Sequence, residues 1–381
     1  MPKPNTSENG WEPPRSLVGA GAPEIARLPV MARQPAFRSR QIASWIYRKG
    51  ARDFSEMTNL PGELRDRLAA DHSLERLPVA TREASRDGDA VKFLFRLADG
   101  EAIEAVLLRA PRRDTICIST QAGCAYGCRF CATGAMGLRR NLNPHEIISQ
   151  VLVIRDALAG LGATGFFNLV FMGMGEPLAN YAAVVAGIRV LHDDFGLGVG
   201  RRRITVSTVG LPTAIRALAR EPVAVRLALS LNATDNETRS SLMPVNRRYP
   251  IEEVLAALTE YGERTGSRVT LEYVLIRDVN DSLADARRLA RMAREVGAKV
   301  NLIRFNPNPL TPLQASPAER VDAFHAAMLP IAPAVTLRES RGVEIRAACG
   351  QLSTAYRPEG GSSGGAGGGE PGGGGGGEAG G

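Results

Sequence analysis

The chain has 381 residues, 44% apolar and 23% charged, a balance suited to a globular enzyme of two or three units. Five cysteines are too few and too oddly numbered for a disulfide framework, and no apolar run approaches the roughly 18 residues that span a bilayer. Secretion and membrane residence are therefore disfavoured, and a reducing cytoplasm is expected. The net charge of +7 favours a polyanionic partner.

Residues 1–22 are rich in Pro, Ser and Asn without periodicity, which predicts a flexible N-terminus. From Ile25 to Arg52 the chain carries Arg27, Arg33, Arg38, Arg40, Arg48, Lys49 and Arg52 and no acidic residue, interleaved with Phe37, Trp45 and Tyr47. Helical spacing at Ile42, Trp45, Ile46 and Lys49, then an amphipathic run from Leu60 to Leu68, predicts a small helical domain over 23–80. Clustered arginines engage phosphates and exposed aromatic faces stack on bases, so this domain is a candidate nucleic-acid contact surface. The plainer reading is a helix pair with core aromatics and solvated arginines.

Residues 81–113 predict a β-hairpin linker: a strand from Ala90 to Leu97, the turn Ala98-Asp99-Gly100, and a strand from Ala102 to Leu108. Over 114–357 short β-branched runs alternate with helical segments. The runs are Thr115 to Thr120, Phe166 to Met172, Arg203 to Thr208, Val223 to Leu231, Arg268 to Ile276 and Val300 to Phe305. Six βα units predict a parallel sheet or barrel. Asn143-Pro144-His145-Glu146, Ser316-Pro317-Ala318-Glu319 and the pair Thr234 and Glu237 read as capped helix starts. Leu289, Met292, Ala293 and Val296 read as a core-facing stripe. Fifteen of the 41 glycines fall within 360–381, so 358–381 is expected to be a disordered tail without a catalytic role.

Cys124, Cys128 and Cys131 form a C-x-x-x-C-x-x-C loop just after the first of these strands. Three thiolates on one loop suit a [4Fe-4S] cluster with one iron left open. Structural zinc wants a fourth ligand, and His72, His145, His192 and His325 lack ligand spacing. Such an open iron can chelate the amino and carboxylate groups of S-adenosylmethionine. Gly173-Met174-Gly175-Glu176-Pro177 follows the second strand; taken alone it reads as a tight turn. Cys117 and Cys349, taken singly, read as small buried hydrophobes.

Together these motifs resemble the RlmN/Cfr family of radical SAM RNA adenine methyltransferases, its RlmN branch in particular, across nearly the whole folded chain. The resemblance also takes in Phe37-Arg38-Ser39-Arg40-Gln41, Met57-Thr58-Asn59-Leu60, Ile103-Glu104-Ala105-Val106-Leu107, Thr205-Val206-Ser207-Thr208, Leu229-Ser230-Leu231, Asn306-Pro307 and Ala348-Cys349-Gly350-Gln351-Leu352. It implies an α/β fold, a radical SAM partial (β/α)6 barrel with the cluster at the mouth of the strands. Cys124, Cys128 and Cys131 would hold the iron. Gly175, Glu176, Ser207, Ser230, Leu231, Asn232 and Asn306 would contact S-adenosyl-L-methionine, two of which are consumed per turnover.

Carbon 2 of adenine is an electron-poor amidine carbon and cannot attack a sulfonium methyl group directly. The family's route, carried over, first methylates Cys349. A deoxyadenosyl radical then abstracts hydrogen from that methyl group, and the methylene adds to the base. Glu104 takes the ring proton, and Cys117 releases the product by forming a transient disulfide with Cys349. The implied substrates are 23S rRNA near the peptidyl-transferase centre and tRNA at the adenine 3′ of the anticodon. An external electron donor such as flavodoxin and a monomeric state are expected as well. Arg139-Arg140, Arg201-Arg202-Arg203 and Arg247-Arg248 add positive charge suited to RNA. The rival readings are Cfr-type methylation of carbon 8 and a non-catalytic Fe–S RNA-binding protein. Two departures are visible: Asn232 stands where the family commonly has His, and Arg304 where it often has Pro.

Overall fold

In the computed structural model of the chain, residues 15–159 and 167–354 are described. Three helices come first, α1 (Ala22–Ala26), α2 (Phe37–Ser44) and α3 (Gly62–Asp71). The predicted apolar spacing turns Ile42, Ile46, Leu64 and Leu68 into a shared buried face. A wider helical turn, Trp45–Lys49, extends α2 and closes at Gly50, whose φ of +77° suits a residue without a Cβ. The expected flexible stretch is partly corrected. Residues 1–14 lie outside the described residues, but Leu17 and Val18 are buried and Ser16 bridges to Ser73, because this short apolar pair completes the helical core.

The three aromatics of the basic stretch part company. Tyr47 is fully buried; its hydroxyl donates to the Ala20 carbonyl (2.6 Å) and accepts from the Gly19 N–H (2.9 Å), so it ties the N-terminal segment to the helices. Phe37 is half exposed. Trp45 donates from Nε1 to Asn59 Oδ1 (2.6 Å), and the Lys49 ammonium lies 3.6 Å from its ring centroid.

The expected hairpin is a three-stranded antiparallel unit, β1 (Val79–Ala84), β2 (Ala90–Arg96) and β3 (Ala102–Leu108). It is no separate linker, because β3 pairs with β4 (Asp114–Cys117), Val106 opposite Cys117, and so joins the main sheet. β5 (Gln121–Gly123) and β6 (Leu138–Asn141) form their own two-stranded ribbon around the cysteine loop and the short α4 (Ala132–Ala135). The βα series then continues through α5 (Pro144–Ala159), β7 (Phe167–Phe171), α6 (Tyr181–His192), β8 (Ile204–Thr208), α7 (Pro212–Leu218), β9 (Arg226–Ser230), α8 (Asn236–Leu242), α9 (Ile251–Thr265), β10 (Thr270–Leu275), α10 (Leu283–Glu295), β11 (Lys299–Arg304), α11 (Ala318–Met328) and β12 (Val335–Arg338).

The main sheet has ten strands in the order β1-β2-β3-β4-β7-β8-β9-β10-β11-β12, parallel from β4 onward. All six expected parallel strands form, within a few residues of their expected ends; Phe166 lies outside the described residues. β12 is a seventh, missed because its four residues are half exposed and show no apolar run. The architecture is the expected α/β partial barrel: the order ends at β1 and β12 and does not close on itself. Among the described residues no helix is long and apolar enough to cross a membrane. The glycine-rich tail lies outside the described residues.

One expected cap forms and two do not. Asn143 Oδ1 accepts from the Glu146 N–H (2.9 Å) while Glu146 accepts from the Asn143 N–H (3.0 Å), a reciprocal capping box. Ser316 instead donates to Asp281 (2.7 Å) and Thr234 to Asp285 (2.6 Å), and both helices start one residue later than expected, with Pro317 and Asp235 at the N-cap positions. The α8 cap falls to Asp235, which accepts from the Thr238 N–H (2.8 Å).

Candidate active site

The cysteine loop is held at both shoulders. Gly123 has φ +79°, and a Cβ there would collide with the Gly137 carbonyl, so glycine is what lets β5 and β6 approach here. The Cys124 N–H donates to the same carbonyl (2.9 Å), and the Arg129 N–H donates to Leu242 O at the end of α8 (2.9 Å). Cys131 leads directly into α4.

The three thiols line one cavity over the C-terminal ends of the parallel strands, where barrel sites form. Gly175, Glu176, Ser207, Ser230, Asn232, Asn306 and Cys349 line it too. Three expected residues lie elsewhere. Leu231 is buried outside the lining, its N–H bonded to Glu272 O (3.0 Å) and its carbonyl to Arg239 Nε (3.1 Å). Cys117, at the end of β4, lines a second cavity with Arg338, and Cys349 lines both cavities. Glu104, on β3, lines a third with Lys92, Gln351 and Ser353.

The segment around Cys349 separates these spaces and is fastened on three sides. Toward the cysteine loop, Ala132 N–H donates to Gly350 O (2.8 Å) and the Thr133 hydroxyl to Leu352 O (2.6 Å). Beyond β11, Asn306 Nδ2 donates to Cys349 O (3.1 Å) and Gln351 Nε2 to Pro307 O (2.9 Å). Toward β3, the Ser353 N–H donates to Glu104 Oε2 (2.9 Å), with the Lys92 ammonium 3.5 Å from the other oxygen. Burial raises the Glu104 carboxyl above its ordinary range against the pull of Lys92.

Glu176 is buried, and desolvation pushes its carboxyl up to about 7 although it accepts from the Val209 (2.8 Å) and Leu178 (3.0 Å) N–H groups. A Cβ on Gly173 would meet the Ile118 carbonyl at 2.7 Å, and Gly175 sits at φ +96° against Gln121. The two glycines thus press the turn against the chain leaving β4 and aim its open side at the cavity. Asn232 adopts φ +57°, a conformation Asn tolerates better than most residues. Its Oδ1 accepts from the Val274 N–H (2.9 Å), so the residue that replaces the usual His is turned partly to holding β10. Arg304, the other departure, donates from Nε to Ser316 O (3.0 Å).

Burial pushes the Cys124 thiol up to about 12 and raises Cys128 and Cys131 as well; at Cys128 the Arg239 guanidinium opposes the rise. Burial also raises Cys117, where Arg338 opposes the rise, while Cys349 is exposed at the edge of the two cavities. Among the described residues no three His, Cys, Asp or Glu side chains converge tightly enough to hold a single metal ion. The donor set, three sulfurs around a shared cavity, fits a group of several iron atoms whose positive charge would draw the thiol protons off. Glu272 lines the cavity and accepts from Asn301 (2.9 Å), yet sequence reasoning passed it over. Its signal was a charged side chain inside an otherwise apolar strand. Lys92, inside the apolar run 90–95, gave the same signal, and Arg338 gave none.

A partial barrel of parallel strands with a C-x-x-x-C-x-x-C loop and a glycine–glutamate turn at its mouth defines a radical SAM enzyme. Residues 118–290 match the model of the radical SAM superfamily, and residues 17–74 that of the ribosomal RNA large subunit methyltransferase N-terminal domain. The chain is 44% identical to the dual-specificity RNA methyltransferase RlmN of an Anaeromyxobacter species, over 91% of this chain and 93% of that one. It is 45% identical to the Desulfotalea psychrophila protein of that name, over 84% and 90%. A crystal structure of a radical SAM methyltransferase from Sphaerobacter thermophilus superposes with a TM-score of 0.84 at 46% identity, over 89% of this chain and 99% of that one. The chain belongs to the RlmN family of radical SAM RNA methyltransferases, a family whose chemistry implies a [4Fe-4S] cluster and S-adenosylmethionine.

Proposed function

We propose that this enzyme methylates carbon 2 of adenine in both 23S rRNA and tRNA through a methyl group carried on Cys349. The observation that carries the reading is the placement of Cys349, which opens on the three-cysteine cavity and on the cavity of Cys117 at once. When bound, the cluster on Cys124, Cys128 and Cys131 and the S-adenosylmethionine beside it supply a methyl group and a hydrogen-abstracting radical. Gly175, Glu176, Ser207, Ser230, Asn232 and Asn306 line that space and would position the methionine and ribose parts, with Leu231 contributing backbone alone.

Cys349 holds the methyl carbon as a thioether and, once that carbon is joined to the adenine, tethers the RNA. Glu104 accepts the ring proton; burial raises its pKa and so makes its carboxylate a stronger base than an exposed one. The Cys117 thiolate then bonds to the Cys349 sulfur as the carbon–sulfur bond breaks, the carbon keeping the electron pair and taking up a proton to become the methyl group; the adduct's unpaired electron would pass to the cluster, and an external donor such as flavodoxin would reduce the disulfide again.

The helical domain, residues 23–80, with half-exposed Phe37 and its arginines, would grip the RNA backbone. A flipped or single-stranded adenine fits best, because the reacting ring edge is hidden in a stacked helix. We place the enzyme in the cytoplasm as a monomer. The test is mass spectrometry of nucleosides from RNA treated with the reconstituted enzyme. It should give 2-methyladenosine from both RNAs; 8-methyladenosine would overturn the carbon 2 assignment.

A further inference from the structure

Arg239, on α8, is among the largest fully buried side chains of the protein. Its guanidinium meets neutral oxygens: Leu231 O (3.1 Å), Asn246 Oδ1 (2.9 Å) and Val209 O (2.6 Å), with Ser230 O and Tyr249 O slightly farther away. Val209 and Leu231 immediately follow β8 and β9, the strands that bring Ser207 and Ser230 to the cavity. Cys128 is the ionisable group whose charge acts on Arg239. The same helix reaches the cysteine loop directly, since Leu242 O accepts the Arg129 N–H (2.9 Å) and Leu242 and Met243 pack in one cluster with Cys128.

A cation removed from water and surrounded by neutral dipoles keeps most of its desolvation cost unless an anion stands nearby. Arg239 stays protonated at neutral pH even though burial lowers its pKa to about 10. Among the described residues no carboxylate shares its hydrogen bonds. The missing anion is the thiolate ligand set itself. We infer that Arg239 is the built-in counter-cation of the three-cysteine site, a positioning residue that clamps the ends of β8 and β9 and raises the reduction potential of the bound cluster. This rests on the ligand reading of Cys124, Cys128 and Cys131 proposed above. A fixed positive charge favours the more negative, reduced form of a cluster, and local net charge is one of the levers that set such potentials.

The experiment is a potentiometric titration, followed by electron paramagnetic resonance, of the reconstituted full chain. Arg239→Gln removes the charge and keeps amide donors; Arg239→Lys keeps the charge and loses the fork. The Gln variant should shift to a more negative midpoint and the Lys variant should stay near wild type. Equal midpoints in all three proteins, or equal displacement of both variants, would overturn the counter-cation role. Should the Gln variant fail to fold, Asn246→Asp neutralises Arg239 in place by setting a carboxylate on its Nη1. It should shift the midpoint in the same negative direction, and an unchanged midpoint there overturns the role as well. A wild-type chain that binds no cluster would instead overturn the ligand reading itself, and this inference with it.

Discussion

The two sets of cysteines reach adjoining cavities by opposite routes. Cys124, Cys128 and Cys131 are neighbours in the chain, and their loop needs little beyond a glycine at each shoulder and two backbone hydrogen bonds to present three sulfurs together. Cys117 and Cys349 are more than two hundred positions apart. They meet because β4 lies at one end of the parallel series and the segment after β12 folds back across the other. A local motif survives small distortions of the fold, whereas a pair assembled from its two ends depends on every strand between them. The first set should therefore fail by losing a bound group, and the second by losing a step while the bound group remains.

The largest effect is expected from Cys128→Ala. It should abolish retained cluster iron and reductive cleavage of S-adenosylmethionine, read by iron analysis and product chromatography; full iron content would break the contrast at its root. Cys117→Ala should retain iron and cleavage yet stall after one event, leaving protein covalently attached to RNA through Cys349 and visible as a retarded band on a denaturing gel. Free RNA with a normal methyl content from that variant would show that the outer pair is not a unit.

A smaller effect separates charge from architecture at Glu176. Its carboxyl, raised from an ordinary 4.5 to about 7, is held more favourably neutral than ionised. The stability it contributes is thus fully present below about pH 4.5 and lost as the pH climbs through 7. Between pH 5 and pH 8 the cluster-free wild type should lose about 2–3 kcal/mol relative to Glu176→Gln, measured by urea unfolding of both proteins. A constant gap would mean that the turn is held without that proton. The smallest change lies farthest from either cysteine set. Tyr47→Phe strips the partner from Gly19 N–H and Ala20 O and should cost about 1–2 kcal/mol, with iron content unaltered.

Legibility followed the same division between local and distant. The parallel core, the cysteine loop and the glycine–glutamate turn could be read because periodicity and spacing are short-range. The Asn143–Glu146 cap was read correctly, being decided within four residues. The Ser316 and Thr234 caps were not, because Asp281 and Asp285 compete from elsewhere in the fold. Tyr47 read equally well as a stacking face or a core residue until its hydroxyl found the N-terminal segment. Glu104 was found through family resemblance alone, and no pattern in the sequence showed that it would sit across the Cys349 segment from the three-cysteine cavity. The roles of the charges around these groups, Lys92, Arg239, Glu272 and Arg338, were hidden for a common reason. Each takes its meaning from a neighbour supplied by another part of the chain.

The sheet carries one more consequence. Apart from the β5–β6 ribbon, its spatial order repeats the order in which the strands are synthesised. A chain emerging from the ribosome can lay each strand against one already in place, with no need to thread between two finished neighbours. Cys349 comes after all of them. With the roles proposed above, a nascent chain would have its iron-binding loop early and its methyl carrier last, and an incomplete product would lack the thiol that captures the RNA around it.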